Sequence, residues 1–184
     1  MRKIIVSEGM TLDGVFDAHT MTQWALPNEG RNEFVRESVL ASDALLYGRT
    51  TYDLEAYYWP NQKNNEYGIA DRMNSMPKYV VTSRPLQAQS NNTTIIKDNV
   101  VEEIARLKQE DGKGILIKGS AMLVETLMKA GLIDEYRFMV HPFIMGSGKH
   151  FFKDGMGMTQ LKLVESRPIG LGVVALTYQP IKRP

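Results

Sequence analysis

The chain has no cysteine among its 184 residues, which excludes disulfides, thiolate zinc sites, iron–sulfur clusters and cysteine nucleophiles, and fits a reducing compartment. It also lacks an excess of either charge. With 22 basic and 21 acidic side chains the formal net charge is +1, which gives no general electrostatic footprint for nucleic acid or an anionic membrane. Long apolar runs are missing too. Arg2 and Lys3 are followed only by Ile4-Ile5-Val6, too short for a signal-peptide core or a membrane span, so a cytoplasmic location is expected. The histidines, His19, His141 and His150, are scattered without metal-ligand spacing, and no metal is expected.

What is present is ordinary in bulk. A chain that is 43% hydrophobic and 23% charged, at this length, can bury a core without disulfides or metal, and one domain over residues 1–184 is expected. Two local patterns stand out. Ala44-Leu45-Leu46-Tyr47 runs into Gly48-Arg49-Thr50-Thr51-Tyr52, and Gly114-Ile115-Leu116-Ile117-Lys118 runs into Gly119-Ser120-Ala121-Met122-Leu123. In each, an apolar strand ends at a glycine, a hydroxyl follows that can cap a helix, and the free amides of the first helical turn favour an anion. Neither matches the glycine fingerprints of the usual dinucleotide or nucleoside triphosphate loops. Taken singly, each is also an ordinary strand-to-helix connection. Together, with Arg49 and Arg84 near strand ends, they favour phosphate binding, and a ligand bridging both would be a dinucleotide.

Periodicity orders the rest. Ile4 to Val6 reads as a buried strand, and Glu8 to Gln23, rich in Gly, Thr and Asp, reads as a long loop. Asn28 to Leu40 has helical spacing, Thr50 to Tyr58 opens a second helix, and Trp59 to Met76 is an irregular excursion with a helical turn. Lys78 to Ser83 and Thr93 to Lys97 read as strands. Asn99 with Glu102 approximates a capping box for the next helix, and Gly131 stops the helix Ala121 to Lys129. Tyr136, Phe138 and Val140 alternate with Glu135, Arg137 and Met139 as in a half-buried strand, and Leu161 to Ser166 and Val173 to Tyr178 are further strands. A β-α-β-α series followed by three strands without helices predicts an α/β fold with a mixed sheet and an antiparallel C-terminal portion.

Trp24-Ala25-Leu26-Pro27 before the first helix and Gly48-Arg49-Thr50-Thr51-Tyr52 after the second strand, in this order of elements, resemble dihydrofolate reductase. Gly119 to Leu123, Gly131-Leu132-Ile133-Asp134-Glu135-Tyr136-Arg137, Pro142 to Lys149, Phe151-Phe152 and Thr11-Leu12-Asp13-Gly14 are more similar to the related reductase domain of riboflavin biosynthesis, including its stand-alone bacterial members. The resemblance implies a three-layer αβα domain, a homodimer, NADPH across the C-terminal ends of the strands, and reduction of a small heteroaromatic, pterin- or aminopyrimidine-like, or carbonyl-bearing substrate; the alternatives are a cofactor-binding regulatory module without turnover and a genuine dihydrofolate reductase. It implies that Gly48, Arg49, Thr50 and Thr51 hold phosphates on one side, that Gly119, Ser120, Ala121, Met122 and Leu123 pass under the pyrophosphate and nicotinamide ribose, and that Ser83 and Arg84 sit beside the adenosine. Dihydrofolate reductases have a Gly-Gly pair with a cis peptide where this chain has Lys118-Gly119.

Hydride transfer also needs a proton for the acceptor, and Glu29 and Asp13 are the catalytic candidates. Glu29 corresponds in place to the substrate-binding carboxylate of dihydrofolate reductase; as an acid at a helix start it also complements the dipole. Asp13 before Gly14 also suits an Asx-turn. By its length, the loop from Glu8 to Gln23 is expected to close over the nicotinamide. Trp24, Trp59, Tyr57 and Tyr58 suit either a planar substrate or the core. His141 reads as structural, the methionines as packing, and Gly155-Met156-Gly157-Met158 as a turn.

Overall fold

The computed structural model describes residues 1–16, 21–26, 28–62, 68–87, 90 and 92–181; His19 and Pro27 lie outside them. The elements are β1 (Lys3–Thr11), α1 (Met21–Trp24), α2 (Glu29–Leu40), β2 (Ala44–Gly48), α3 (Arg49–Tyr58) with a 3-10 turn (Trp59–Asn61), α4 (Ala70–Ser75), β3 (Lys78–Val81), β4 (Thr93–Ile96), α5 (Val100–Gln109), β5 (Gly114–Lys118), α6 (Ala121–Lys129), β6 (Glu135–His141), β7 (Leu161–Pro168) and β8 (Val174–Pro180). All strands join one 8-stranded sheet in the order β4-β3-β2-β5-β1-β6-β8-β7. Pairs from β4 through β6 are parallel, while β6–β8 and β8–β7 are antiparallel. This is the α/β mixed sheet with antiparallel C-terminal strands that the order of elements predicts. No helix among the described residues is long and apolar enough to cross a membrane.

Strand alternation explains the three layers. Ile4, Val6, Leu46, Ile115 and Ile117 point to one face, where they pack with Ile104 and Leu107 of α5 and Val124 and Leu127 of α6. Ile5, Leu45, Tyr47 and Leu116 point to the other, against Val39, Tyr52, Trp59 and Met73. A parallel strand covered on both faces reads as a continuous apolar run, as Ala44 to Tyr47 and Ile115 to Ile117 do. The strand β6 departs from the half-buried expectation: Glu135 and Met139 are as buried as Tyr136 and Phe138. Met139 packs in a further cluster with Phe34, Ile169 and Val173, so the hairpin connection of β7 and β8 and the helix α2 cover the face that alternation alone assigns to solvent.

β1 is longer than its apolar run. It continues through Glu8 and Gly9 to Thr11, because β6 remains paired to it as far as Thr11↔His141. On its other side, pairing with β5 stops at Ser7↔Lys118. The stretch beyond Ser7 is therefore strand on one side and open on the other. The expected loop begins only at Leu12, and the turn from Leu12 to Phe16 is tightly tied down: Gly14 N–H donates to Thr11 O (2.9 Å), Leu12 N–H to Phe143 O (2.8 Å), Phe16 N–H to Lys149 O (2.9 Å) and Phe151 N–H to Gly14 O (2.9 Å). Residues 17–20 lie outside the described part. Asn99 is also not a capping-box residue: its backbone is left-handed (φ 48°), and its side chain accepts no bond from α5.

Candidate functional site

The two strand–glycine junctions meet. β2 and β5 are parallel neighbours, so Gly48 and Gly119 leave the sheet side by side at its C-terminal edge. Each glycine is filled by the other junction. A Cβ on Gly119 would lie 2.5 Å from Thr51 Oγ1, and a Cβ on Gly48 would overlap the Ser120 hydroxyl. Gly119 (φ 62°) and Ser120 (φ 57°) are both left-handed, a conformation that glycine accepts freely and serine seldom adopts.

Neither helix that starts here has a side-chain cap. α3 begins at Gly48, which has no side chain, and Ser120 directs its hydroxyl toward Gly48 rather than to the amides of α6. The expected hydroxyl caps are thus not formed, and the first-turn N–H groups of α3 and α6 are left to bind something else. The peptide bonds of the described residues are all trans, Lys118–Gly119 included.

These helix starts border a cleft of about 1150 Å³ lined by Gly48, Arg49, Thr50 and Thr51 on one side and Gly119, Ser120, Ala121, Met122 and Leu123 on the other. Its volume is just above the roughly 300–1,000 Å³ typical of a pocket for a drug-sized ligand. Arg31, Arg49, Lys118, Lys149 and Lys153 also line it, against the carboxylates Glu8 and Glu55. The balance of this wall favours an anion, whereas the whole chain is nearly neutral. Arg49 is partly held by Asp53, 3.1 Å away. Tyr57 and Tyr58 supply flat apolar surface, and the buried Trp59 packs against Tyr58. Met122 is 73% exposed at the cleft, a methionine that does not serve core packing.

The floor of the cleft is a charged cluster. Lys118 Nζ bonds Glu55 Oε1 at 2.8 Å and lies 5.4 Å from the centre of the Trp59 ring. The Trp59 indole N–H donates to the other Glu55 oxygen. Glu8, on the one-sided stretch of β1, accepts from Gly9 N–H (3.1 Å) and Gly119 N–H (2.7 Å). It is half-buried, keeping an opening onto the cleft while protein encloses the rest. Burial raises its pKa from 4.5 to about 7, against the lowering effect of the two amides and Lys118. Burial, aided by the Glu55 charge, holds the Tyr47 phenol well above its ordinary value. His141 is buried at the end of β6, its Nδ1 accepts the Leu26 N–H at 3.4 Å, and burial lowers its pKa to about 4.

Both catalytic candidates fall outside this cleft. Glu29 is exposed, with Arg36 as its ion-pair partner at 3.4 Å, because its place in the first turn of α2 turns it to solvent. Asp13 accepts from the Thr11 hydroxyl (2.5 Å), Met145 N–H (3.1 Å) and Gly146 N–H (2.8 Å), which lowers its pKa to about 2. It fastens the turn after β1 to the segment that carries Lys149. Ser83 and Arg84 are exposed just past β3; they share the sheet edge with Gly48, which pairs with Val81, but do not line the cleft. Glu8, Glu55, Lys118 and Trp59 are what sequence reasoning missed as a group. The available signal was a carboxylate two residues after the apolar run of the first strand.

A family model described as the RibD C-terminal domain matches residues 2–175. The chain belongs to that family. Similar in sequence to this RibD C-terminal domain protein is the uncharacterized protein YyaP of Bacillus subtilis (strain 168), 34% identical over 182 residues, covering 96% of this chain and 94% of the relative. Among solved structures, a putative riboflavin biosynthesis protein from Shewanella sp. PV-4 is similar with a TM-score of 0.75 at 21% identity, over 98% of this chain and 99% of that one. A dihydrofolate reductase from Enterococcus faecalis, solved with NADP(H), gives 0.66 at 16% identity, over 98% and 97%. At these identities the structures establish the dihydrofolate reductase-like fold, here an open αβα sandwich around the eight-stranded sheet.

Proposed function

We propose that the protein is an NADPH-dependent reductase that delivers a hydride to a small substrate, either a pterin- or aminopyrimidine-like heteroaromatic or a carbonyl compound, and that it works as a homodimer. The observation that carries the reading is the meeting of two uncapped helix N-termini at one cleft. Unpaired amides aimed at the same space from α3 and α6 suit two linked phosphates, since each helix start offers donors and a partial positive charge. The residues present therefore fit the cofactor. Gly48, Arg49, Thr50 and Thr51 would hold one phosphate, Gly119 to Leu123 would serve the pyrophosphate and ribose, and Ser83 and Arg84, just past the strand that pairs with Gly48, would meet the phosphate that distinguishes NADPH from NADH.

When bound, the cofactor supplies the hydride; the chain supplies position and a dry wall. The exposed Tyr57 and Tyr58 form the flat side against which a ring can lie, and the buried Trp59, held by Glu55 and Lys118, packs against Tyr58 and supports it. Dihydrofolate itself fits less well, because Glu29 faces solvent instead of the cleft. For the dimer, β7 offers an unpaired sheet edge with Leu163 48% and Val164 51% exposed.

A thermal-shift comparison of NADPH, NADH and buffer tests the cofactor, because a ligand that binds the native state raises apparent stability by RT ln(1 + [L]/Kd). The melting temperature should rise with NADPH, and less with NADH. Equal shifts would remove the 2′-phosphate assignment, and no shift with either would remove the cofactor.

A further inference from the structure

We propose that Glu8 is the acid of this site, giving its proton to the nitrogen or oxygen of the substrate bond that is reduced. The inference rests on the reductase reading and names a catalytic residue for it.

Among the described residues, two carboxylates line the cleft, Glu8 and Glu55. Glu55 is already engaged on both oxygens, one with Lys118 and the other with the Trp59 indole. Glu8 has backbone donors alone, one amide on each oxygen, and a carboxylate oxygen has two acceptor positions. Each oxygen therefore keeps one acceptor position not filled by these amides. Its position follows from the sheet: β1 outruns β5 by the stretch after Ser7, so Glu8 lies beside Gly119, where the chain turns into α6. The same amide that marks the start of the cofactor side thus also fixes the acid.

The environment suits a group that gives up and regains a proton near neutrality. Enclosure raises the affinity for the proton, while the Gly9 and Gly119 amides and the Lys118 ammonium stabilise the carboxylate once it has left. Glu55 of α3 opposes them, and Arg31 of α2, Arg49 of α3, His141 of β6, Lys149 and Lys153 are the other charged or titratable groups along the cleft. The balance closes with a C=N or C=O acceptor. Carbon receives hydride from a reduced nicotinamide, the π pair moves onto the heteroatom, and that atom takes the Glu8 proton. Glu8 is left as carboxylate and is reprotonated by water from the open cleft.

An acid at the hydride-transfer centre must sense the charge of the nicotinamide, which is positive when oxidised and neutral when reduced. We therefore measure the dissociation constants of NADP⁺ and NADPH for the intact protein and for Glu8→Gln from about pH 5.5 to about 8.5, on either side of the Glu8 midpoint. Both forms carry the same phosphates, so their titration cancels in the ratio. In the native protein the ratio should move toward NADP⁺ by about tenfold or more as pH rises through 7, since an opposite charge nearby shifts a pKa by about 1–3 units. In Glu8→Gln the ratio should be flat. A flat ratio in the native protein, or the same slope in the variant, would overturn the assignment of Glu8 while leaving the cofactor in place. Failure of both nucleotides to bind would overturn the reductase reading and Glu8 with it. Carbon-13 titration of the Glu8 carboxyl in the native protein provides a second measurement that needs no variant. Its midpoint should fall when NADP⁺ is added and stay when NADPH is added, and an unmoved midpoint with bound NADP⁺ counts against the proposal.

Discussion

Arg49 shows how little of a site residue's role is visible in its chemistry alone. It follows the glycine of the β2 junction, lines the cleft, and spends part of its charge on Asp53 one helical turn later. In the proposed complex it exchanges this partly exposed pair for a phosphate, a stronger partner for a guanidinium. Arg49→Ala should therefore weaken NADPH by about 1.5–3 kcal/mol, the range for hydrogen bonds to charged groups, and should also cost some stability, because the Asp53 carboxylate it leaves behind is only 9% exposed. Isothermal titration of the folded variant checks this, and an unchanged affinity removes Arg49 from the phosphate site. That Gly48 and Gly119 lie at the ends of neighbouring strands and line one cleft was legible because the strand–glycine–helix pattern is local. Glu8 was not, because its partner, the Gly119 amide, is remote in sequence, and the burial that tunes it arises only when β1, β5 and α3 come together.

At the scale of elements, the parallel strands and most helices could be read directly, since apolar run length and helical spacing are properties of a few consecutive residues. The errors came where a neighbour decides. β1 runs on through Glu8 and Gly9 because β6 stays paired to it, and Ser120 and Asn99 fail to cap because the connections hold them in left-handed backbone. The supposed lid after Glu8 is, in its described part, a strand and a tight turn sewn to the segment 143–151. Asp13 provides part of the seam through Met145 and Gly146. Asp13→Asn should speed hydrogen exchange of the Met145 and Gly146 amides and lower NADPH affinity modestly through Lys149, which this segment presents to the cleft. Exchange rates equal to those of the native protein would show that the carboxylate does not hold the seam.

Across the whole molecule, two internal titrations pull against each other. Glu8 is raised from 4.5 to about 7, so its contribution to stability is fully present below pH 4.5 and is lost as pH climbs to 7, by an amount on the order of 3 kcal/mol. His141 is lowered from 6.5 to about 4, so its contribution is present above pH 6.5 and is lost as pH falls to 4, on the same order. Between about pH 4.5 and 6.5 the slopes have opposite signs and offset each other. Urea unfolding should therefore give nearly level stability across that window for the native protein, and stability that falls on acidification for Glu8→Gln. A level profile in the variant would show that one of the two groups is not shifted as its surroundings imply. The interlock of Gly48 with Ser120 and of Gly119 with Thr51 reaches further, into how the protein is made. Each half of the cleft wall is finished by a side chain from the other half, and the segments lie far apart along the chain. A ribosome-bound chain that has exposed only β1 to α3 holds one wall of a groove with no opposite side. In the proposed complex nucleotide would be held only after α6 has emerged and docked, so cofactor loading would require β1, β2 and β5 to be in place while β6, β7 and β8 are still to be added.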